Sequence, residues 1–241
     1  GSRVAVCLTD RSSGESIYTI LDQATMTEVQ TFDDPATDGD LVWSPGSRYL
    51  ACGDFFTAGV RIYDVVTGER VAVLDNGDST EAIAWSPDGK RIAASHWDQT
   101  VKVWEVGSWR ETLHLDRDPE TQAQLLGGEL LSWTPDGKSL AAGSVMGWVV
   151  MWDARTGREL LSFKAHTEQV RTIAISPDGR RIATGSNDRT IKLWDMTGRQ
   201  LLTLSGHPDR VDVVAWSPDG RHLFSNGRNC PPRIWTAAKS E

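Results

Sequence analysis

With 241 residues, 39% of them apolar and 24% charged, the chain can bury a substantial core and has the balance of a soluble globular protein. A formal net charge of -8 argues against nucleic acid, because a binder of phosphate backbones carries a basic stripe. There is no apolar run long enough to span a bilayer and no signal peptide, and Cys7, Cys52 and Cys230 share no metal-ligand spacing. The expectation is therefore free thiols in the cytoplasm, with no membrane contact, metal or cofactor.

In chain order, Gly1-Ser2-Arg3-Val4-Ala5-Val6 aligns with Gly89-Lys90-Arg91-Ile92-Ala93-Ala94, so the chain opens inside a pattern that it later repeats. Strands are predicted near residues 4–8, 16–21 and 28–32, a partial first unit over about 3–32. An acidic connector, 33–40, leads to fuller units over 40–74, 81–115, 128–163 and 170–204, and a last unit of three strands covers 211–236. The segment 116–127 is an insert and is expected to be an exposed loop.

The cleanest copy lies between His166 and Arg199. Val170 to Ile175 is rich in β-formers, Ser176-Pro177-Asp178-Gly179 is a turn, and Arg181 to Ser186 is a second strand. After Asn187-Asp188-Arg189 come a third strand, 190–195, and a fourth, 200–204. Trp43, Trp85, Trp133, Ile175 and Trp216 stand 42, 48, 42 and 41 residues apart, each followed by Ser-Pro or Thr-Pro. Strand three ends in Trp152-Asp153 and Trp194-Asp195, with Tyr63-Asp64, Trp104-Glu105 and Trp235-Thr236 as variants. Four antiparallel strands in about forty residues is the pattern of a propeller blade.

On these motifs the chain resembles the WD-repeat β-propeller family over nearly its whole length. The resemblance implies an all-β fold, one propeller domain over 1–241 with about six blades visible. The first and last blades lack a strand each, which points to a piece of a longer ring of six or seven blades, or to closure by residues 4–8. Crisp Ser-Pro-Asp-Gly-Arg-Arg turns resemble those of bacterial WD proteins, in which the ring lies C-terminal to a signalling effector.

The family's hydrogen-bonded set of His, hydroxyl, turn Asp and Trp is matched by His166, Thr184, Asp188 and Trp194. It is matched again by His207, Ser225, Asn229 and Trp235, with Asn in place of Asp. In both, the His precedes the Trp by 28 residues, the hydroxyl by 10 and the turn residue by 6. The set also resembles a hydrolase triad. Its repetition at identical spacing, with the hydroxyl in mid-strand, is what structural staples show, so no catalytic residue and no enzyme activity are expected. His96 and His114 stand alone and are expected to be solvated or hydrogen-bonded.

The family's usual partner-binding surface is the narrow ring face. Carried over by position, it comprises Phe56, Glu81, Trp97, Glu129, Val145, Gln169, Arg171, Asn187, Arg210, Asp212 and Arg228. Aromatic residues beside Arg171, Arg210 and Arg228 have the composition of an interface hot spot, and an acidic peptide or protein segment is the favoured partner class. The function so implied is a non-enzymatic protein-interaction or sensor module. The alternatives are a structural scaffold in a large complex, and an enzyme or small-ligand binder that uses the central channel.

Overall fold

The structure, a computed structural model, describes residues 3–9, 16–34, 41–53, 59–74, 79–96, 98, 100–115 and 130–236. Among them every regular element is a strand, and consecutive strands form six sheets. Sheet one holds β1 (Arg3–Thr9), β2 (Ser16–Asp22) and β3 (Glu28–Asp34). Sheet two holds β4 (Leu41–Trp43), β5 (Tyr49–Cys52), β6 (Val60–Asp64) and β7 (Glu69–Leu74). Sheet three holds β8 (Thr80–Trp85), β9 (Arg91–His96), β10 (Val101–Glu105) and β11 (Glu111–Leu115).

Sheet four holds β12 (Leu131–Trp133), β13 (Ser139–Gly143), β14 (Trp148–Asp153) and β15 (Glu159–Lys164). Sheet five holds β16 (Val170–Ile175), β17 (Arg181–Ser186), β18 (Ile191–Asp195) and β19 (Gln200–Leu204). Sheet six holds β20 (Val211–Trp216), β21 (His222–Gly227) and β22 (Cys230–Thr236). This order is that of β-propeller blades. The chain divides into two compact units: Gly1–Asp98 with Lys102–Thr112, and Gln99–Val101 with Leu113–Glu241. Sheets one to three belong mainly to the first, sheets four to six to the second.

The turns after strand one follow from their side chains. Ser86 Oγ donates to Asp88 Oδ1 at 2.6 Å and accepts from the Arg91 N–H at 2.9 Å, while Asp88 Oδ1 accepts from the Lys90 N–H at 3.1 Å. Gly89 completes the turn at φ 67°, in the left-handed region where a Cβ is unwelcome. The same arrangement surrounds Thr134 and Asp136, Ser176 and Asp178, and Ser217 and Asp219.

Sheets stack face to face within each unit. Ala51, Ile62 and Ala94 pack with Ile83 and Trp85 between sheets two and three, and Ala183 and Ile191 pack with Val211, Val214 and Leu223 between sheets five and six. A Cβ on Gly185 would come within 2.6 Å of Thr172 and 2.7 Å of Val211, so a side chain there would wedge the last two sheets apart. Trp85 Nε1 donates to the Val42 carbonyl at 3.1 Å, and Trp216 Nε1 donates to the Ala174 carbonyl at 3.2 Å. Trp85 and Trp216, each before Ser-Pro, therefore tie their own sheets to the preceding ones.

Candidate functional site

Polar chemistry gathers in two kinds of place. The first is inside sheet five. His166 precedes β16, Thr184 is central on β17, Asp188 lies in the turn after β17 and Trp194 is on β18. The His166 Nε2 to Thr184 Oγ1 distance is 2.7 Å, His166 Nδ1 to Asp188 Oδ2 is 2.8 Å, and Trp194 Nε1 donates to Thr184 Oγ1 at 2.9 Å. Thr190 adds its hydroxyl at 2.6 Å and its N–H at 3.0 Å to Asp188 Oδ1. One tautomer fits this geometry. The indole donates to Thr184, whose hydroxyl donates to Nε2, and the Nδ1–H donates to Asp188.

Burial opposes ionisation of Asp188, yet the hydrogen bonds from His166 and Thr190 prevail and hold its carboxyl far below the usual carboxylate range. The Thr184 hydroxyl is fully buried and has both roles engaged, so it offers no nucleophile to a substrate. Among the described residues no three His, Cys, Asp or Glu side chains gather as metal ligands.

In sheet six His207 Nε2 meets Ser225 Oγ at 2.8 Å, and Trp235 Nε1 donates to the same oxygen at 2.8 Å. The turn residue differs from the expected one. His207 Nδ1 faces Cys230 Sγ at 3.4 Å, while Asn229 turns away and its Nδ2 lies 3.5 Å from Asp209 Oδ2. The cause is register. Ser225 pairs with Arg233, but Gly227 pairs with Cys230, so the pairing slips by one residue and Asn229, at φ 55°, swings into the turn. Burial, with Arg233 nearby, lowers the His207 pKa below its ordinary value. In sheet three His96 is buried, its ring edge-on to Trp104 at 6.2 Å.

The second place is the end of the sheets where strand one begins. Three of the residues carried over to it are extra residues in their strands. Thr80 pairs with His96 and Ala82 with Ser95, leaving Glu81 over; Arg171 and Asp212 are left over in the same way in β16 and β20. Such bulges re-aim a side chain. Glu81 is buried, with 4% of its surface exposed, instead of standing on an open face. Arg171 and Arg210 do not form a free basic sector: Arg171 Nε lies 3.3 Å and Arg210 Nε 2.9 Å from the same oxygen, Asp212 Oδ1.

Asn187 Nδ2 donates to Gln169 Oε1 at 3.3 Å and its N–H to the Gln169 carbonyl at 3.0 Å, which joins the start of β16 to the end of β17. Val145 is half-buried and Arg228 is exposed. Phe56, Trp97 and Glu129 lie outside the described residues, as does the insert 116–127. The signals that sequence reasoning missed are nonlocal: the partners of Trp85 and Trp216, the slipped turn at Cys230, and the aspartate shared by two arginines.

Residues 68–105, 157–195 and 198–230 match the family model described as WD domain, G-beta repeat. The chain is similar to WD repeat-containing protein 1 of Gallus gallus, 28% identical over 183 residues that cover 68% of this chain and 29% of that protein. It is also similar to the probable cytosolic iron-sulfur protein assembly protein 1 of Cryptococcus neoformans var. neoformans serotype D, 28% identical over 127 residues, 53% of this chain and 26% of that one. Ribosome biogenesis protein ERB1 of Debaryomyces hansenii is 50% identical over 34 residues, 14% of this chain and 4% of that protein. The chain thus spans less than a third of the length of these relatives, all of them eukaryotic.

Proposed function

We propose, for a chain in which three segments match WD, G-beta repeats, that it is a non-enzymatic protein-interaction module whose partner docks where strand one of sheets five and six begins. The observation that carries this reading is the sharing of Asp212 by Arg171 and Arg210 at a partly exposed edge, next to the exposed Arg228. The staple in sheet five has its hydroxyl and imidazole buried and hydrogen-bonded, which is the chemistry of a rigid support. The exposed Arg228 and the partly exposed Arg210 have charge to offer a partner, which favours an acidic segment.

Kinship with bacterial signalling chains and linkage to an upstream effector rest on the Ser-Pro-Asp-Gly repeats alone, and the relatives lend them no support. Work in the cytoplasm is part of the same proposal. The test is an identified partner, with its affinity measured against Arg210→Glu, Arg228→Glu and the control Arg155→Glu, which lies in the turn between β14 and β15. The two edge variants should bind at least about tenfold more weakly while the control binds like the parent; three equal affinities would move the site elsewhere.

One observation favours the scaffold alternative. On sheet six Phe224 is 38% and Ile234 is 72% exposed, beside exposed Val213 and Ala215. An apolar sheet face of this kind suits a chain that is packed into a larger assembly.

A further inference from the structure

Two guanidiniums meet at Asp212, with Arg171 Nε 3.3 Å and Arg210 Nε 2.9 Å from its Oδ1. Its backbone supports are firm. Arg171 sits in its bulge between the buried Val170 and Thr172, and Asp212 follows the buried Val211. Arg210 is fixed as well, because its N–H donates to Asp209 Oδ1 at 2.8 Å, and its carbonyl lies so close to Gly227 that a Cβ there would meet it at 2.0 Å. The side chains are graded in depth: Arg171 is 15% exposed, Asp212 27% and Arg210 33%. Arg210 is thus the outermost of the three.

We propose that Asp212 is an internal placeholder for a carboxylate of an acidic partner segment, which takes Arg210 over while Asp212 stays with Arg171. This rests on the reading that the edge is a docking site. The exchange keeps every charge paired. Removing one member of a desolvated ion pair is costly because it strands the other, but Asp212 has a second guanidinium in place before Arg210 leaves. A guanidinium also presents two hydrogen-bonding edges. Arg171 Nε hydrogen-bonds Asp212, whereas Arg210 Nε lies 2.9 Å from the same oxygen without the alignment of a hydrogen bond, so its donor is left for the fork of a Glu or Asp side chain. The exposed Arg228 supplies further attraction at long range, on a chain that is otherwise acidic.

The arrangement assigns opposite signs to neighbouring substitutions. A fluorescein-labelled hexaglutamate peptide, followed by anisotropy at low and moderate salt, is the probe. Arg210→Gln should weaken binding about tenfold or more, and Asp212→Asn should strengthen it about threefold to tenfold by removing the competitor. Arg171→Gln should weaken binding several-fold, since Asp212 then holds Arg210 alone. Combined with Asp212→Asn it should have no further effect, because Arg171 acts through Asp212.

If Arg171→Gln costs the same factor with and without Asp212→Asn, Arg171 is a plain surface charge and the placeholder is wrong, although the docking edge stands. Binding that is indifferent to Arg210, Arg228 and Asp212 alike overturns the docking edge itself. No saturable binding by the parent overturns an acidic occupant and leaves the edge to be judged with the identified partner. Arg171→Lys, which keeps the charge, and a thermal melt of each variant separate lost binding from lost folding.

Discussion

Sheets five and six are two copies of one repeat 41 residues apart, and they solve the same problem differently. In sheet five Asp188 is bonded by His166 and by both groups of Thr190; in sheet six Cys230 takes the place of the carboxylate, and Pro231, without N–H or hydroxyl, stands where Thr190 would. The faces differ too. Ala183, with Ala51, Ala93 and Ala141 at the equivalent positions, is wholly buried, whereas Phe224 at that position is partly exposed. The strand pattern tolerates these changes because alternation and turn chemistry build the strands. The turn residue and the size of one face residue decide how tightly the finished sheet is tied and stacked.

The largest contrast should come from the face. Ala183 faces sheet six in the cluster with Val214 and Leu223, so Ala183→Phe drives an aromatic ring into a filled contact. A loss of about 3 kcal/mol, or failure to fold, is expected. Phe224→Ala removes a half-exposed ring and should cost about 1 kcal/mol. Denaturant midpoints decide it, and equal losses would mean that the two faces are equally packed.

Next comes the turn. Asp188→Ala leaves His166 Nδ1 and Thr190 without their acceptor and should cost about 2 kcal/mol, whereas Asn229→Ala, at an exposed turn position, should cost less than about 0.5 kcal/mol. A comparable loss at Asn229 would restore it to the network that the slipped register removes it from.

Much of this contrast cannot be read from the chain. The all-β fold of repeated antiparallel sheets was legible because Ser-Pro-Asp-Gly turns and strand-three Trp-Asp pairs are local signals, each set by a few adjacent residues. The spacing of His166, Thr184, Asp188 and Trp194 was legible for the same reason, since each is fixed to a strand or turn. The place of Asn229 was not, because a one-residue slip between β21 and β22 leaves the spacing unchanged and exchanges which side chain faces His207. Nor was the sharing of Asp212: position in a strand tells where a residue lies, and a bulge changes where its side chain goes.

Acid should separate the sheets by pH. The folded pKa of His207 lies below its unfolded value, so the stability it confers is full above about pH 6.5 and is lost as pH falls through that value. Asp188 is also lowered, and its contribution is full above about pH 4 and lost only below it. Amide exchange, corrected for its intrinsic pH dependence, should show β21 loosening as pH falls below about 6.5 while β17 stays protected. Simultaneous loosening would assign the change to something other than His207.

The smallest effect tests whether the missing carboxylate alone makes sheet six the weaker copy. Cys230→Asp places an acceptor opposite His207 Nδ1, where Cys230 Sγ now stands. The gain should be about 0.5 to 1 kcal/mol, less than the loss at Asp188, since Pro231 cannot add the two bonds that Thr190 gives. Its sign in pH is the sharper readout. A carboxylate beside His207 favours the imidazolium and raises the His207 pKa toward or above its unfolded value, so the loosening of β21 below about pH 6.5 should shrink or disappear. A variant that is more stable yet loosens below about pH 6.5 as much as the parent would owe its gain to the turn, and the difference between the two sheets would then lie in the backbone and not in the acceptor.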